Sequence, residues 1–176
     1  VVDAEAALAA DAYVIHPGST KGGRPGSGIQ RVRDALLRVC DGGMPRAQFL
    51  LETTSGAGSM LGGRMDELAA IISSTQERAP ELRMGICIDT AHVFAAGCDV
   101  RQERGVAHLL AELKRTLGVA ALRAIHANDS LHEHGTRRDQ HAHIGSGCIG
   151  TAGFRHLMRV SAFRRVPWIL ETPKDD

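Results

Sequence analysis

Five short apolar stretches recur along the chain, and each ends in a histidine or an acidic residue followed by small or turn-forming residues. They read AYVIHPG, QFLLETTSG, MGICIDTAH, LRAIHAND and VPWILETP. Each stretch is short, aliphatic and nearly continuous, which is typical of strands buried on both faces of a parallel sheet. The pattern therefore predicts five buried strands.

Segments with the helical spacing of apolar residues lie between these strands. Ser27 is predicted to cap the first helix and Gly118 to end the third, while the opening VVDAEAALAADA reads as the tail of a helix that leads into the first strand. Alternation of strand and helix is the βα unit of an α/β fold, and we expect one domain over residues 1–176. The apolar positions of the four helical patterns are Ile29, Val32, Leu36 and Val39; Met65, Leu68, Ala69 and Ile72; Val106, Leu109, Leu110, Leu113 and Leu117; and Phe154, Leu157 and Met158.

Two glycine-bearing segments do not fit either pattern. The stretch from Asn128 to Gly150 is polar and rich in histidine, and we expect it to be a long irregular loop that is either functional or disordered. The segment SGAGSMLGG at 55–63 could be a phosphate cradle, but it lacks the Lys-Ser/Thr pair of a P-loop. We interpret it as a flexible turn between strand and helix in which backbone segments approach closely.

The composition excludes several classes of protein. Hydrophobic residues make up 43% of the 176 positions, which is enough to bury a core. No apolar run approaches the ~18 residues needed to span a bilayer, so no membrane association is expected. The 21 basic and 20 acidic side chains nearly cancel, and the broad basic face of general nucleic-acid binders is absent.

The start of the chain and its cysteines predict a cytoplasmic protein. The first residues are acidic, unlike the basic and then apolar start of a secretory signal. The four cysteines contain no C-x-x-C pair, which excludes a cysteine zinc knuckle. Cys87 and Cys98 could form a disulfide, but scattered cysteines in a neutral chain favour reduced thiols.

The residues at the five predicted strand ends are all potential metal ligands. Carboxyl ends of parallel strands meet on one face, so three carboxylates and two imidazoles would converge there. Divalent cations relieve the repulsion among such groups, and mixed nitrogen and oxygen ligands suit zinc, manganese or iron. For any single position, the alternative to a metal ligand is an ordinary charged residue at the edge of the sheet that pairs with an arginine. The five residues are His16, Glu52, Asp89, His126 and Glu171, at spacings of 36, 37, 37 and 45.

Two further pairs extend the set of candidate ligands. Asp89 and His92 are three residues apart just past a strand end, and Asp139 and His141 share one side of an extended segment. Eight candidate ligands exceed the need of one metal, so we expect a site for two or three metals. Clusters of this kind typically hydrolyse phosphoesters.

At these residues the sequence resembles the endonuclease IV family of apurinic/apyrimidinic (AP) endonucleases, over nearly the whole chain. Six motifs occur in the order in which the family has them. They are HPGS at 16–19, LETTSGAG at 51–58, CIDTAHVFAAG at 87–97, HANDS at 126–130, RDQHAHIGSGCIG at 138–150 and ILETP at 169–173.

The resemblance implies a zinc-dependent phosphodiesterase that cleaves double-stranded DNA 5′ to abasic sites in base excision repair, with Glu171 and Glu52 as catalytic residues. A metal-bound hydroxide would attack phosphorus, with Glu171 helping to orient it. The family fold is a TIM (β/α)8 barrel with three zinc ions on its rim. The implied ligands are His16 and Glu52 on the first zinc; Glu52, Asp89, His126 and Glu171 on the second; and His92, Asp139 and His141 on the third.

The resemblance also implies a partial barrel, incomplete at both ends, with about five of eight βα units in this C-terminal part. One family histidine of the first zinc site is then absent, and Gln140 stands where the family usually has arginine. The family's full-length members are expected to be monomers, whereas this piece is expected to be able to associate. One alternative is a metal-dependent sugar isomerase or epimerase that prefers manganese. The other is a truncated remnant without catalytic activity.

Overall fold

The computed structural model describes residues 10–171, so the predicted opening helix falls largely outside the described residues. The elements of the described part alternate between strand and helix along most of the chain. They are β1 (Ala12–Ile15), α1 (Pro25–Val39), β2 (Gln48–Glu52), α2 (Met65–Gln76), β3 (Met84–Asp89), α3 (Thr90–Ala96), α4 (Glu103–Thr116), β4 (Leu122–His126), β5 (Asp129–Ser130), β6 (His141–Ala142), α5 (Gly150–Arg159) and β7 (Trp168–Ile169).

Five of the strands form one parallel sheet in the order β1-β2-β3-β4-β7. The register places Leu51 beside Ile86, Asp89 beside His126, and His126 beside Ile169. A parallel sheet whose consecutive strands are joined through helices is the arrangement of a TIM-type barrel, here with five strands. The predicted α/β class and the partial TIM-type barrel are confirmed, with five parallel strands and helices between them in the described residues. No helix within residues 10–171 has the length and apolar character needed to cross a membrane.

Alternation along the strands produces two different faces of the sheet. The larger core lies between the sheet and the helices and includes Phe49 and Leu51 of β2. A second, smaller cluster on the other face contains Leu50, Cys87 and Ala124. Because strand side chains alternate, Glu52, Asp89 and His126, each two positions after a member of this cluster, lie on the same face. We call it the inner face of the sheet. The candidate ligands therefore follow the inner face of the sheet.

The boundaries of the helices confirm one predicted stop and correct one predicted cap. α4 ends at Thr116, and the N–H of Gly118, at a φ of 76°, donates to the carbonyl of Leu113. Ser27 is not a cap, because α1 begins at Pro25 and the Ser27 hydroxyl donates back to the Arg24 carbonyl. Proline is favoured in the first turn, since its fixed φ suits a helix and its missing N–H would be unpaired there.

The predicted irregular loop from Asn128 to Gly150 contains regular structure. The antiparallel pair of β5 and β6 joins the start of this stretch to residues 141–142. Asp129 is fully buried, and its carboxylate accepts N–H groups that would otherwise lack partners. These donors belong to Ser130, Gly145, Gly147, Ile149 and Gly150.

Close backbone approach in the 55–63 segment is confirmed. A Cβ built on Gly63 would lie 2.7 Å from the Cα of Gly56, so a side chain there would force these two backbone segments apart. An isolated antiparallel bridge joins Met60 to Ser19 and ties this turn to the loop that follows β1. The two loops therefore form one surface at the carboxyl end of the sheet.

Candidate metal centre

The carboxyl ends of the five parallel strands bring the predicted strand-end residues together. The Glu52 carboxylate lies 3.3 Å from His16 Nε2, 3.0 Å from His126 Nδ1 and 3.3 Å from His92 Nδ1. Glu171 Oε2 lies 2.8 Å from the same His126 nitrogen. Glu52 is buried whereas His16 and Glu171 are exposed, so the cluster has a closed floor and an open mouth.

Asp89 belongs to both the floor of the cluster and the start of a helix. Its Oδ1 accepts the N–H of His92 at 2.7 Å and so caps α3, which ends at Gly97 in the left-handed conformation. Its own N–H donates to Thr53 Oγ1 on the neighbouring strand end. These bonds hold the fully buried Asp89 carboxylate in place and position His92 beside the cluster.

His92 and His141 present Nε2 to the site because their other ring nitrogens are bonded to backbone. His92 Nδ1 donates to the Thr53 carbonyl at 2.7 Å, and His141 Nδ1 donates to the Glu171 carbonyl at 3.3 Å. Within residues 10–171, neither Nε2 atom has a hydrogen-bond partner and both are buried, although carboxylates lie close to each. Histidines that ligate metals typically have this arrangement, in which an outer acceptor fixes the tautomer and leaves the second nitrogen free.

Asp139 completes a second cluster beside the first. Its Oδ1 lies 2.9 Å from His92 Nε2 and 3.6 Å from His141 Nε2, as expected for Asp139 and His141 on one side of an extended segment. His141 Nε2 is also 3.7 Å from Asp89 Oδ2. Asp89 thus lies between the two clusters and contacts both.

The donor atoms are spaced as the ligands of metal ions would be. In the described part of the chain, three groups have donor atoms within 4.8 Å of one another. Ligands about 2.0–2.2 Å from a tetrahedral zinc lie roughly 3.3–3.6 Å apart, which is close to the separations measured here. The groups are Glu52, Asp89, His126 and Glu171; His16, Glu52 and His92; and Asp89, His92 and His141.

These groups resemble the zinc sites that the family resemblance implies, with two differences. The four-residue group has the same members as the implied second site. His16 and Glu52 are joined by His92, which the resemblance implies only for the third site. The second difference concerns the implied third site, where Asp89 rather than Asp139 is grouped with His92 and His141. Asp139, which is exposed, lies close to both imidazoles. All eight predicted residues therefore lie in one continuous cluster.

The charges in the cluster depend strongly on one another. Burial opposes ionisation of Glu52, but hydrogen bonds with His126, His16 and His92 outweigh it and hold the pKa of Glu52 far below its usual range. Burial alone would lower the pKa of His92, yet Glu52, Asp89 and Asp139 raise it to about 10. Burial also raises the pKa of Asp89. Without a metal, the neighbouring carboxylates therefore raise the pKa values of His16, His92 and His126 and favour their protonated forms.

The metal-free protein should lose stability as the pH rises above neutrality. A His92 pKa of about 10, against 6.5 when unfolded, stabilises the fold fully below pH 6.5, and this contribution is lost up to about pH 10. With EDTA present, the melting temperature should be lower at the alkaline end of this range than at its acid end. Replacing exposed His108 by Asn should leave the slope unchanged, and a melting temperature that rises with pH would contradict the assignment.

Asn128 is a site residue that the sequence pattern did not single out. It is fully buried, and its Nδ2 donates to Asp89 Oδ2 at 2.6 Å and to Glu171 Oε2 at 3.2 Å. Its Oδ1 accepts the N–H of Glu171 at 3.0 Å. One amide thus links two carboxylates from separate strands. Its place two residues after His126, within HANDS, is the signal that could have identified it.

Several curated proteins with similar sequences carry the same name. The chain is 45% identical over 171 residues to a protein named probable endonuclease 4 from Oleidesulfovibrio alaskensis, covering 95% of this chain and 56% of that protein. It is 42% identical over 164 residues to a protein of the same name from Chloroflexus aurantiacus, covering 93% and 56%. The chain thus spans little more than half the length of these curated relatives.

The fold has a close counterpart among solved structures. Endonuclease IV from Thermus thermophilus superposes with a TM-score of 0.81 at 33% identity, covering 99% of this chain and 59% of that one. A D-tagatose 3-epimerase-like protein superposes with a TM-score of 0.65 at 17% identity, which shows a shared fold alone.

A family model agrees with both comparisons. The model described as the xylose isomerase-like TIM barrel matches residues 1–176. The resemblance to endonuclease IV that the six motifs carry is confirmed by the named relatives and by the superposed structure. The chain belongs to the xylose isomerase-like TIM barrel family.

Proposed function

We propose that this chain is the C-terminal part of a metal-dependent AP endonuclease that cleaves double-stranded DNA 5′ to abasic sites. The observation that carries the proposal is the group formed by Glu52, Asp89, His126 and Glu171, whose donor atoms lie within 4.8 Å of one another. The relatives named endonuclease 4 support the same activity.

The residues of the cluster would hold zinc ions, with manganese as a possible substitute. Zinc bound there would supply a water of lowered pKa and positive charge near the departing oxygen. The two Nε2 atoms without hydrogen bonds, on His92 and His141, support this assignment. The proposed ligands are His16, Glu52, Asp89, His92, His126, Asp139, His141 and Glu171.

Glu171 and Glu52 have different proposed roles because they differ in exposure. Glu171 lies at the open mouth, and its backbone N–H is fixed by Asn128, so its carboxylate is placed to orient a water beside a bound phosphodiester and to accept its proton. Glu52 lies on the floor among three imidazoles and holds them at a common centre. The unpaired thiols suit a reducing compartment, and we propose the cytoplasm.

Cleavage of a duplex with one abasic analogue tests the proposed activity. With zinc, the products should carry a 3′-hydroxyl and a 5′ deoxyribose phosphate, and EDTA should abolish their formation. Replacing Glu171 by Gln should lower the rate by about 10²-fold or more, since the proton acceptor is lost. Replacing exposed Glu81 by Gln is the matched control.

Two outcomes would contradict the proposed activity. Nicking that persists in EDTA, or that survives Glu171→Gln unchanged, would remove the metal cluster from the reaction. Zinc binding without any cleavage would assign this chain to a non-catalytic role, and an N-terminally extended chain that cleaves would show what the reaction needs in addition.

A further inference from the structure

The hydrogen bonding between β2 and β3 changes at the carboxyl end of the sheet. The N–H of Thr53 donates to the Cys87 carbonyl, as it would in a regular parallel ladder. The next bond of such a ladder would join the N–H of Asp89 to the Thr53 carbonyl. The Asp89 N–H instead donates to the Thr53 hydroxyl at 2.9 Å, so a side-chain oxygen replaces the backbone acceptor.

This replacement leaves the Thr53 carbonyl available to a different donor. The ring N–H at Nδ1 of His92 donates to that carbonyl at 2.7 Å. The buried Thr53 therefore accepts two hydrogen bonds through two different oxygens, one from Asp89 and one from His92. Both donors belong to candidate metal ligands, so Thr53 connects two of these ligands to the end of β2.

Without the hydroxyl, these two donors would compete for one carbonyl. Thr53, Asp89 and His92 are all buried, so neither N–H group can turn to bulk water for a new acceptor. A buried donor without an acceptor is unfavourable, which favours return of the Asp89 N–H to the regular ladder bond. His92 Nδ1 would then lose the acceptor that fixes its ring. The Thr53 hydroxyl removes this competition.

The two residues that Thr53 holds take part in every candidate ligand group of the described residues. His92 belongs to the group with His16 and Glu52, Asp89 belongs to the four-residue group, and both stand with His141 in the remaining one. Asp89 Oδ1 also accepts the N–H of His92 at 2.7 Å, so a shift of one residue would move the other. A change at Thr53 should therefore affect the whole cluster.

We propose that the Thr53 hydroxyl is a positioning group of the metal centre, which holds Asp89 and keeps His92 Nε2 directed into the cluster. The proposal rests on the metal-dependent function proposed above. Hydrogen bonds that orient ligating histidines from outside typically contribute about 10- to 100-fold in metal affinity. Thr53 is not among the proposed ligands, so it acts through Asp89 and His92.

Three variants separate the hydroxyl from the shape of the side chain and from general stability. Thr53→Val keeps the shape but removes the acceptor, whereas Thr53→Ser keeps the hydroxyl. Thr75→Val makes the same change in α2, where a buried hydroxyl donates to the Ile71 carbonyl. Circular dichroism and urea denaturation in EDTA measure the folding and the stability of each variant. Thr53→Ala takes the place of Thr53→Val if the valine variant does not fold.

Competition with a chromophoric chelator measures zinc affinity without DNA or cleavage. Thr53→Val should bind zinc about 10- to 100-fold more weakly than the wild-type chain, and Thr53→Ser should restore most of the affinity. Thr75→Val should keep wild-type zinc affinity even where its stability in EDTA falls as far as that of Thr53→Val. Cobalt in place of zinc has a visible spectrum that reports its ligands, and this spectrum should change in Thr53→Val alone.

The outcomes separate the positioning role from the proposed activity. Wild-type zinc affinity in Thr53→Val, or an equal loss of affinity in Thr75→Val, would overturn the positioning role and leave the proposed cleavage unaffected. A wild-type chain that binds zinc but does not cleave an abasic duplex would contradict the proposed function, and the zinc affinities of the variants would still decide the role of Thr53. A folded wild-type chain that binds no zinc would overturn both.

Discussion

Replacing Glu52 by glutamine should strongly reduce metal-dependent cleavage and lower the number of bound metal ions. Glu52, like Asp89, belongs to two of the three candidate ligand groups among the described residues, and its oxygens face His16, His92 and His126. A neutral amide removes the charge that a cation at either position would require. We expect the rate on an abasic duplex to fall by about 10³-fold or more.

The control for this variant is an exposed glutamate. Glu77→Gln changes the same functional group at the end of α2 and should leave metal content and rate unchanged. Folding of Glu52→Gln is checked by circular dichroism. Retention of wild-type metal content would show that Glu52 is not a ligand, whatever its effect on the rate.

Replacing Asp129 by alanine should cause the largest loss of stability in the described part of the chain. Five backbone N–H groups donate to this buried carboxylate, and removing it leaves them without an acceptor. A buried N–H group that loses a charged acceptor costs about 1–3 kcal/mol. The N–H groups of Ser130 and Ile149 are buried, and the other three are partly buried and can bind water in the variant. We therefore expect a total loss of about 3–5 kcal/mol. Urea denaturation measures the change.

A local measurement separates this effect from general instability. Hydrogen exchange should accelerate first at residues 145–150, because their amides lose the acceptor. Asp34→Ala removes an exposed aspartate that pairs with Arg33, and it should change stability by less than about 0.5 kcal/mol. Unchanged exchange at residues 145–150 in Asp129→Ala would contradict the role of this carboxylate.

The sheet and the candidate ligands were predictable because both follow from local repetition. Apolar runs that end in His, Asp or Glu mark buried strands, and the parallel arrangement brings their ends together. Leu50 and Glu52 lie two positions apart on β2, so the alternation that buries one on the inner face also directs the other there.

The missed features depend on contacts between residues that are distant in sequence. Asn128 acts by linking Asp89 to Glu171, and Asp129 acts by collecting amides from residues 145–150. The residue types at both ends of α3 indicate a helix, since Asp89 is a favoured cap and Gly97 a favoured stop. The helix begins directly after β3 with no loop between them, so the strand pattern hides its start. Ser27 has the residue type of a cap, yet Pro25 starts the helix earlier.

Anomalous scattering at the zinc absorption edge, from crystals grown with zinc, tests the central claim most directly. The account predicts a peak within about 2.0–2.2 Å of donor atoms of Glu52, Asp89, His126 and Glu171, with at least one neighbouring peak beside His92. A crystal that shows no peak among these four side chains, or that shows them directed into separate surroundings, would contradict it.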